Sequence, residues 1–250
     1  MSDSNHSYTV NLFVPCYMDQ YFSDGVAPMI SVLKRLGETV YYNSEMTCCG
    51  RQFFMRGEVD VAKKLADQMV RYFDNVLPVV CPSNACISFI QKHYKSLTES
   101  SAVFASVSHI VQNSYEICDY IVNKKGITNL GNKFESKVFY FQSCAARNMY
   151  RAGDEAITLL QNTEGVTLFT DPSLKLCCSA NGSVAMHNGE LSEFLLKSIV
   201  DRIKTFEVDS VTSTDLHCLQ YLDAYIQTRK DVNFEIVPIT EILNAGFDDE

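Results

Sequence analysis

Ten cysteines give this 250-residue chain its clearest capacity for chemistry. Eight of them form two copies of one pattern, in which a lone cysteine, an adjacent pair and another lone cysteine follow one another. Matching cysteines lie 128 to 132 residues apart, which predicts an internal duplication. The first set is Cys16, Cys48, Cys49 and Cys86, and the second set is Cys144, Cys177, Cys178 and Cys218.

Four soft thiolates that converge suit an iron-sulfur cluster or zinc, so we predict both sets as cofactor-binding and metal-binding residues. An adjacent pair aims both sulfurs at one centre only if the chain turns there, and Gly50 supplies that freedom in the first copy. Arg51 and Arg147 would add positive charge near the thiolates. Cys81 and Cys118 have no counterpart in the other copy: Cys81 is a candidate fifth metal ligand, whereas Cys118 is expected in the core.

Two further polar residues lie beside the last cysteine. His217 directly precedes Cys218, and Asp215 is close by. We expect a hydrogen-bonding structural role for this pair, with contact to the second centre or to a substrate as the alternative.

The elements that must position the cysteines have the same order in both halves. Residues 8–14 and 137–141 are short, β-rich and almost continuously apolar, which is typical of strands covered on both faces, and each runs into a cysteine. Helical spacing of apolar residues follows in 59–73 and 191–206, and residues 77–80 and 209–213 are further predicted strands. The alternation indicates an α/β fold of two pseudo-symmetric Rossmann-like units with mainly parallel sheets.

In such folds ligands gather in the crevice beyond the carboxyl ends of the strands, where helix N-termini stabilise anionic centres. We therefore expect the cysteines of each half at one crevice. The predicted division is a first cysteine-rich domain at 1–100, a helical connector and loop at 101–136, and a second cysteine-rich domain at 137–250. Residues 101–125 are predicted as one helix ended by Gly126, and residues 129–136 as a loop.

Composition narrows the functional class. Hydrophobic residues make up 46% and charged residues 20%, which is typical of a globular protein. The net charge of -9 argues against nucleic acid or an anionic membrane surface as partner. Residues 1–7 lack the features of a secretory signal, and no apolar run approaches the ~18 residues of a membrane span. We expect a cytoplasmic protein, in which ten cysteines favour metal or redox chemistry over disulfides.

The spacing Cys-x31-Cys-Cys-Gly-x35-Cys and its second copy resemble a known family. It is the duplicated cysteine-rich CCG domain found in heterodisulfide reductases, in glycolate oxidase iron-sulfur proteins and in the lactate-utilisation protein A family. The segments PCYMD at 15–19, CCGRQ at 48–52 and PSNAC at 82–86 are most similar to the lactate-utilisation A group. The resemblance covers roughly residues 9–226.

This resemblance implies one or two [4Fe-4S] clusters and an electron-transfer role in the oxidation of L-lactate to pyruvate. It implies a subunit of an oxidoreductase complex that works beside other iron-sulfur subunits, and it assigns no catalytic residue. Two departures stand out. Phe89 and Tyr221 replace the last cysteine of the Cys-x-x-Cys element in heterodisulfide reductase, and Ser179 follows the second cysteine pair where the family usually has glycine.

Three alternatives stay open. The cysteine pairs would serve a thiol-disulfide or heterodisulfide reductase-type subunit through thiolate attack. They would equally serve a zinc-stabilised interaction module without catalysis, or zinc in one half and an iron-sulfur cluster in the other. Lactate comes from the resemblance, and another hydroxy acid such as glycolate fits the same motifs.

Overall fold

Three of the four strands that precede a lone cysteine have only three residues, and all three residues of each are buried. A computed structural model describes residues 9–73, 75–98, 104–150, 154–180 and 183–247. Every strand pairing in these residues is parallel, and the two sheets have matching orders, β2-β1-β3-β4 and β6-β5-β7-β8. This arrangement confirms the α/β prediction with two similar units. The strands are β1 Val10–Leu12, β2 Val40–Tyr42, β3 Val79–Cys81, β4 Ser114–Glu116, β5 Lys133–Tyr140, β6 Glu164–Phe169, β7 Ser210–Thr212 and β8 Glu235–Ile236.

The helices connect consecutive strands and carry the buried apolar faces that the sequence predicts. The predicted helix at 59–73 is α4, and the one at 191–206 is α11, which begins two residues earlier. A short 3-10 turn at Ser23–Gly25 and a π-helical turn at Tyr120–Lys124 complete the described helical segments. The α-helices are α1 Cys16–Tyr21, α2 Val26–Arg35, α3 Arg51–Met55, α4 Val59–Tyr72, α5 Asn84–Leu97, α6 Phe104–Gln112, α7 Ile117–Asp119, α8 Cys144–Asn148, α9 Glu155–Gln161, α10 Ser183–His187, α11 Gly189–Lys204, α12 Leu216–Ile226 and α13 Ile239–Asn244.

The single helix predicted over 101–125 is wrong in its centre. Residues 101–103 lie outside the described residues, α6 ends at Gln112, and residues 114–116 form β4 against the open edge of β3. A short run of apolar residues is compatible with a helix or with a buried strand. Here residues 114–116 form a strand because they pair with the edge of the first sheet. Gly126 does end the helical turn that follows, with a φ of 71°. The division at 1–100, 101–136 and 137–250 stays a prediction, although β4 adds residues 114–116 to the first sheet.

The predicted loop at 129–136 is shorter than expected, because β5 already begins at Lys133. The first half of this strand is largely exposed and polar, so it carries no apolar signal in the sequence. This first half is nevertheless part of the strand because β6 lies beside it, and Lys133 Nζ is 3.0 Å from Glu164 Oε1 of β6.

One apolar core is shared by both halves. Val10 and Leu12 of β1 lie in the same buried cluster as Val138 and Tyr140 of β5. Two further clusters pack α4 and α5 in the first half and α11 and α12 in the second. The shared core holds the two cysteine sets in a fixed relation to each other. None of the helices in the described ranges has the length and apolar content to cross a bilayer.

Candidate metal centre

Each of the four lone cysteines lies near the start of a helix that follows a strand, at the carboxyl edge of the sheet. Cys16 and Cys144 are the first residues of α1 and α8, and Cys86 and Cys218 are the third residues of α5 and α12. Each thiol is therefore near free backbone N-H groups and the positive end of a helix, which stabilise a thiolate.

The first set is brought together as predicted. The Cys16 thiol hydrogen-bonds with Cys48, the Cys48 thiol with Cys49, and the Cys49 thiol with Cys86. Cys81, which is fully buried at the end of β3, hydrogen-bonds with Cys86. Five thiols thus form one continuous row in the first half.

The second set repeats the first without a fifth thiol. Cys144 Sγ lies 3.7 Å from Cys177 Sγ, and Cys178 hydrogen-bonds with both Cys177 and Cys218. Cys118 lies elsewhere, in the core that the two halves share, as its place on an apolar stripe predicts.

One cysteine in each set is the preferred anion. Hydrogen bonds from Cys16, from Cys49 and from the Gly50 N-H at 3.3 Å hold the pKa of Cys48 well below its usual range despite burial. Hydrogen bonds from Cys144 and Cys178, with the Ser179 N-H at 3.4 Å, lower the pKa of Cys177 in the same way.

The remaining thiols of each set hold their protons more tightly. Hydrogen bonding to Cys48 and then burial raise the pKa of Cys16. Hydrogen bonding to Cys177 and then burial raise the pKa of Cys144. Each set therefore contains one cysteine that favours the thiolate, which is the form of cysteine that binds metals.

The chain turns after each cysteine pair in the left-handed conformation. Gly50 has a φ of 87°, as expected for the glycine that the sequence places there. Ser179 has a φ of 61°, so the second turn takes the same form without a glycine. The Ser179 hydroxyl hydrogen-bonds with the Ser192 hydroxyl of α11, which holds this conformation in place.

The two arginines near the cysteine pairs have different roles. Arg51 is buried, and its charge acts on Asp215 and Cys218 of the opposite half. Arg147 donates hydrogen bonds to the Leu174 carbonyl at 3.3 Å and to the Lys175 carbonyl at 3.0 Å, so it fixes the segment before Cys177.

The two halves touch next to the cysteines. The Asn84 backbone N-H donates to the Thr214 carbonyl at 2.8 Å, and the Asn84 amide also hydrogen-bonds with the Thr214 hydroxyl. The Tyr17 and His217 ring centroids are 4.0 Å apart. Sequence reasoning missed Asn84, Thr214 and Tyr17, because only folding brings their segments together.

Several polar atoms at this junction are buried without a hydrogen bond from the described residues. They include Asn84 Oδ1, Asp215 Oδ2 and His217 Nδ1. Native proteins seldom leave such atoms unpaired, and a place for a bound ion is one recognised reason. The donor chemistry of the surrounding thiols fits an iron-sulfur centre.

The thiols are not arranged around a single ion. Within the described ranges no three His, Cys, Asp or Glu side chains form a group that could hold one metal ion. A tetrahedral zinc site needs four ligands around one point, whereas the irons of a cluster take their thiolates separately.

A groove of 670 Å³ opens between α1, α11 and α12. Its lining includes Tyr17, next to Cys16, and Tyr221, three residues after Cys218. Residues from three distant segments form it, so periodicity and spacing gave no signal for it.

Comparison with known proteins places both cysteine sets inside matched segments. The family model of the CCG cysteine-rich domain matches residues 10–91 and 138–223. Lactate utilization protein A of Oceanobacillus iheyensis is 29% identical over 237 residues, which cover 94% of this chain and 96% of that protein. Lactate utilization protein A 2 of Bacillus cereus strain Q1 is 26% identical over 238 residues, which cover 95% of this chain and 98% of that protein. The solved structure of a putative Asp/Glu racemase from Yersinia pestis aligns at 11% identity and a TM-score of 0.35 over 94% of this chain and 96% of that one, too distant to inform function.

Proposed function

Since the chain belongs to the CCG cysteine-rich domain family, we propose that it is an iron-sulfur electron-transfer subunit in the oxidation of L-lactate to pyruvate. The observation that carries this proposal is the convergence of two matching thiol rows at the carboxyl edges of two sheets. The proposal names lactate because relatives of this chain carry the name lactate utilization protein A.

The two sets would hold one centre each. The first four cysteines, with Cys81 as a candidate fifth ligand, would bind the first cluster, and the second set would bind the second. A bound [4Fe-4S] cluster supplies one-electron chemistry that the amino acids lack. The chain contributes the rest. Cys48 and Cys177 offer preformed thiolates, the Gly50 and Ser179 N-H groups donate hydrogen bonds to sulfur, and burial limits the access of water.

An electron carrier of this kind needs a donor and an acceptor outside itself. We propose that other iron-sulfur subunits of a lactate oxidation complex fill these roles. The groove between α1, α11 and α12 would be the face where electrons enter or leave, because Tyr17 in its lining directly follows Cys16 and Tyr221 lies three residues after Cys218.

The test is iron and acid-labile sulfide per chain after anaerobic purification, with EPR of the reduced protein. Cys48→Ser and Cys177→Ser should each remove the signal of one centre and leave the other. Cys118→Ser is the control, because this cysteine lies in the shared core, outside both rows. Cys81→Ser decides the fifth ligand: an altered first-centre spectrum supports it, and an unchanged one removes it.

A colourless anaerobic protein without iron or sulfide would refute the proposal. One or two zinc ions per chain, with no iron, would point to the zinc-stabilised interaction module. Zinc in one half and iron in the other would be revealed by the same two serine variants, each of which would remove a different metal.

A second candidate is a thiol-disulfide activity at Cys144 and Cys177. Their sulfurs are 3.7 Å apart, and Cys177 has the lowered pKa of an attacking thiolate. It predicts rapid alkylation of Cys177 and reduction of small disulfides by metal-free protein. Cys177→Ser should abolish both reactions, and Cys118→Ser should leave both unchanged.

A further inference from the structure

His217 lies at the junction of the two halves, not in the interior of the half that contains it in sequence. It is the second residue of α12 and is only 2% exposed. Its ring centroid is 4.0 Å from that of Tyr17, and Tyr17 directly follows Cys16 of the first set. The imidazole is therefore packed against the helix start that carries a first-centre thiol.

The contacts across the junction hold the start of α12 beside the first centre. Hydrogen bonds from Asn84 to Thr214 tie the start of α12 to the start of α5, which carries Cys86. The His217 imidazole is close enough to Cys48 of the first set to act on it electrostatically. The charged side chains that act on Cys218, the sequence neighbour of His217, are Asp215 and Arg51.

A buried carboxylate lies behind the imidazole. Asp215 is fully buried, and its Oδ1 is 3.4 Å from His217 Nδ1. Metal-binding histidines commonly present one ring nitrogen to a carboxylate, which fixes the ring and leaves the other nitrogen to bind the metal. Asp215 is held in turn by the Ser143 side chain, so the carboxylate that faces His217 Nδ1 is itself fixed in place.

We propose that His217, oriented by Asp215, is a nitrogen ligand to iron in the first cysteine centre, so that the second half of the chain completes the site of the first. The proposal rests on the proposed iron-sulfur binding and adds a specific ligand to it. It changes the expectation that this pair has only a structural role or serves the second centre.

The test uses pulsed EPR on reduced, iron-loaded protein that carries Cys177→Ser, so that the first centre alone is observed. Directly bound imidazole should give a strong ¹⁴N hyperfine coupling, whereas backbone amides near a cluster give only weak ones. Growth with ¹⁵N-histidine should convert the strong coupling to that of ¹⁵N. This experiment needs no substitution at His217 and therefore stands even if a His217 variant fails to fold.

Substitution then assigns the nitrogen to one residue. His217→Gln should remove the strong coupling, and Asp215→Asn should change its size. His93→Gln is the control and should leave it unchanged, because the His93 ring packs on the rings of Phe54 and Phe89.

Two results would overturn the ligand assignment while leaving the proposed function intact. One is an iron-containing protein with only weak nitrogen couplings, and the other is a strong coupling that survives His217→Gln. Protein without iron or sulfide would overturn both proposals together, and metal analysis alone separates that case from the others.

Discussion

Replacing Gly50 by alanine tests how the first cysteine pair is positioned. Gly50 has a φ of 87°, where an L-residue costs ~1–2 kcal/mol. A Cβ there would lie 3.2 Å from the Ala62 carbonyl oxygen and 3.3 Å from Ala62 Cα, both backbone atoms of α4. Crowding of this kind typically adds about 1–3 kcal/mol. We therefore expect Gly50→Ala to lower the free energy of unfolding by about 2–5 kcal/mol, the sum of these two costs.

The matched control is Gly37→Ala. Gly37 has a φ of 81°, but a Cβ there would meet nothing within 4 Å, so only the conformational cost of about 1–2 kcal/mol applies. Urea denaturation of both variants as reduced, metal-free proteins, followed by circular dichroism, measures the difference. Equal losses in the two variants would refute the reasoning that close packing of the turn on α4 holds the cysteine pair. Gly50→Ala should also lower the iron content of the first centre, and Gly37→Ala should not.

Two further predictions concern groups buried near the first sheet. The Tyr94 hydroxyl donates a hydrogen bond to the Cys49 carbonyl at 2.9 Å, and Tyr94→Phe removes that donor. The variant should therefore lower the free energy of unfolding by about 1–3 kcal/mol in urea denaturation. A decrease smaller than the error of measurement would contradict this. Burial raises the pKa of Glu116 to about 8, so the folded state keeps a proton that the unfolded state releases above its ordinary pKa of 4.5, and the free energy of unfolding should fall as pH rises between those values. Glu116→Gln should flatten that fall by up to ~1.4 kcal/mol per pH unit, and an unchanged slope in denaturation at several pH values would show that Glu116 does not titrate in this window.

Asymmetry between the halves is a consequence of their contact. A duplication first produces two equal sites, and a shared core then lets each half supply groups to the other. Arg51 acts on the second set, and His217 packs beside the first. Cys81 adds a thiol to the first row, where the position at the same offset in the second half holds Ser213. The two centres are therefore expected to differ in reduction potential, since charge and hydrogen bonds around the sulfurs set that potential.

The sequence by itself determined the duplication, both cysteine sets and the long helices. Cysteine spacing is a property of the chain, and the apolar faces of α4 and α11 repeat over three or more turns, which gives a strong periodic signal. The strands β1 and β3 and the last residues of β5 could also be located, because burial on both faces leaves an apolar run there.

Only the tertiary structure shows where the short strands form and which side chains the polar residues contact. β4 has three residues and β8 has two, too few for a period, and each forms because an open sheet edge offers hydrogen bonds. His217 adjoins Cys218 along the chain, yet it packs against Tyr17, 200 residues away. Distance along a chain says little about distance through space once two halves pack face to face, so composition and spacing could identify the thiols but not the side chains that surround them.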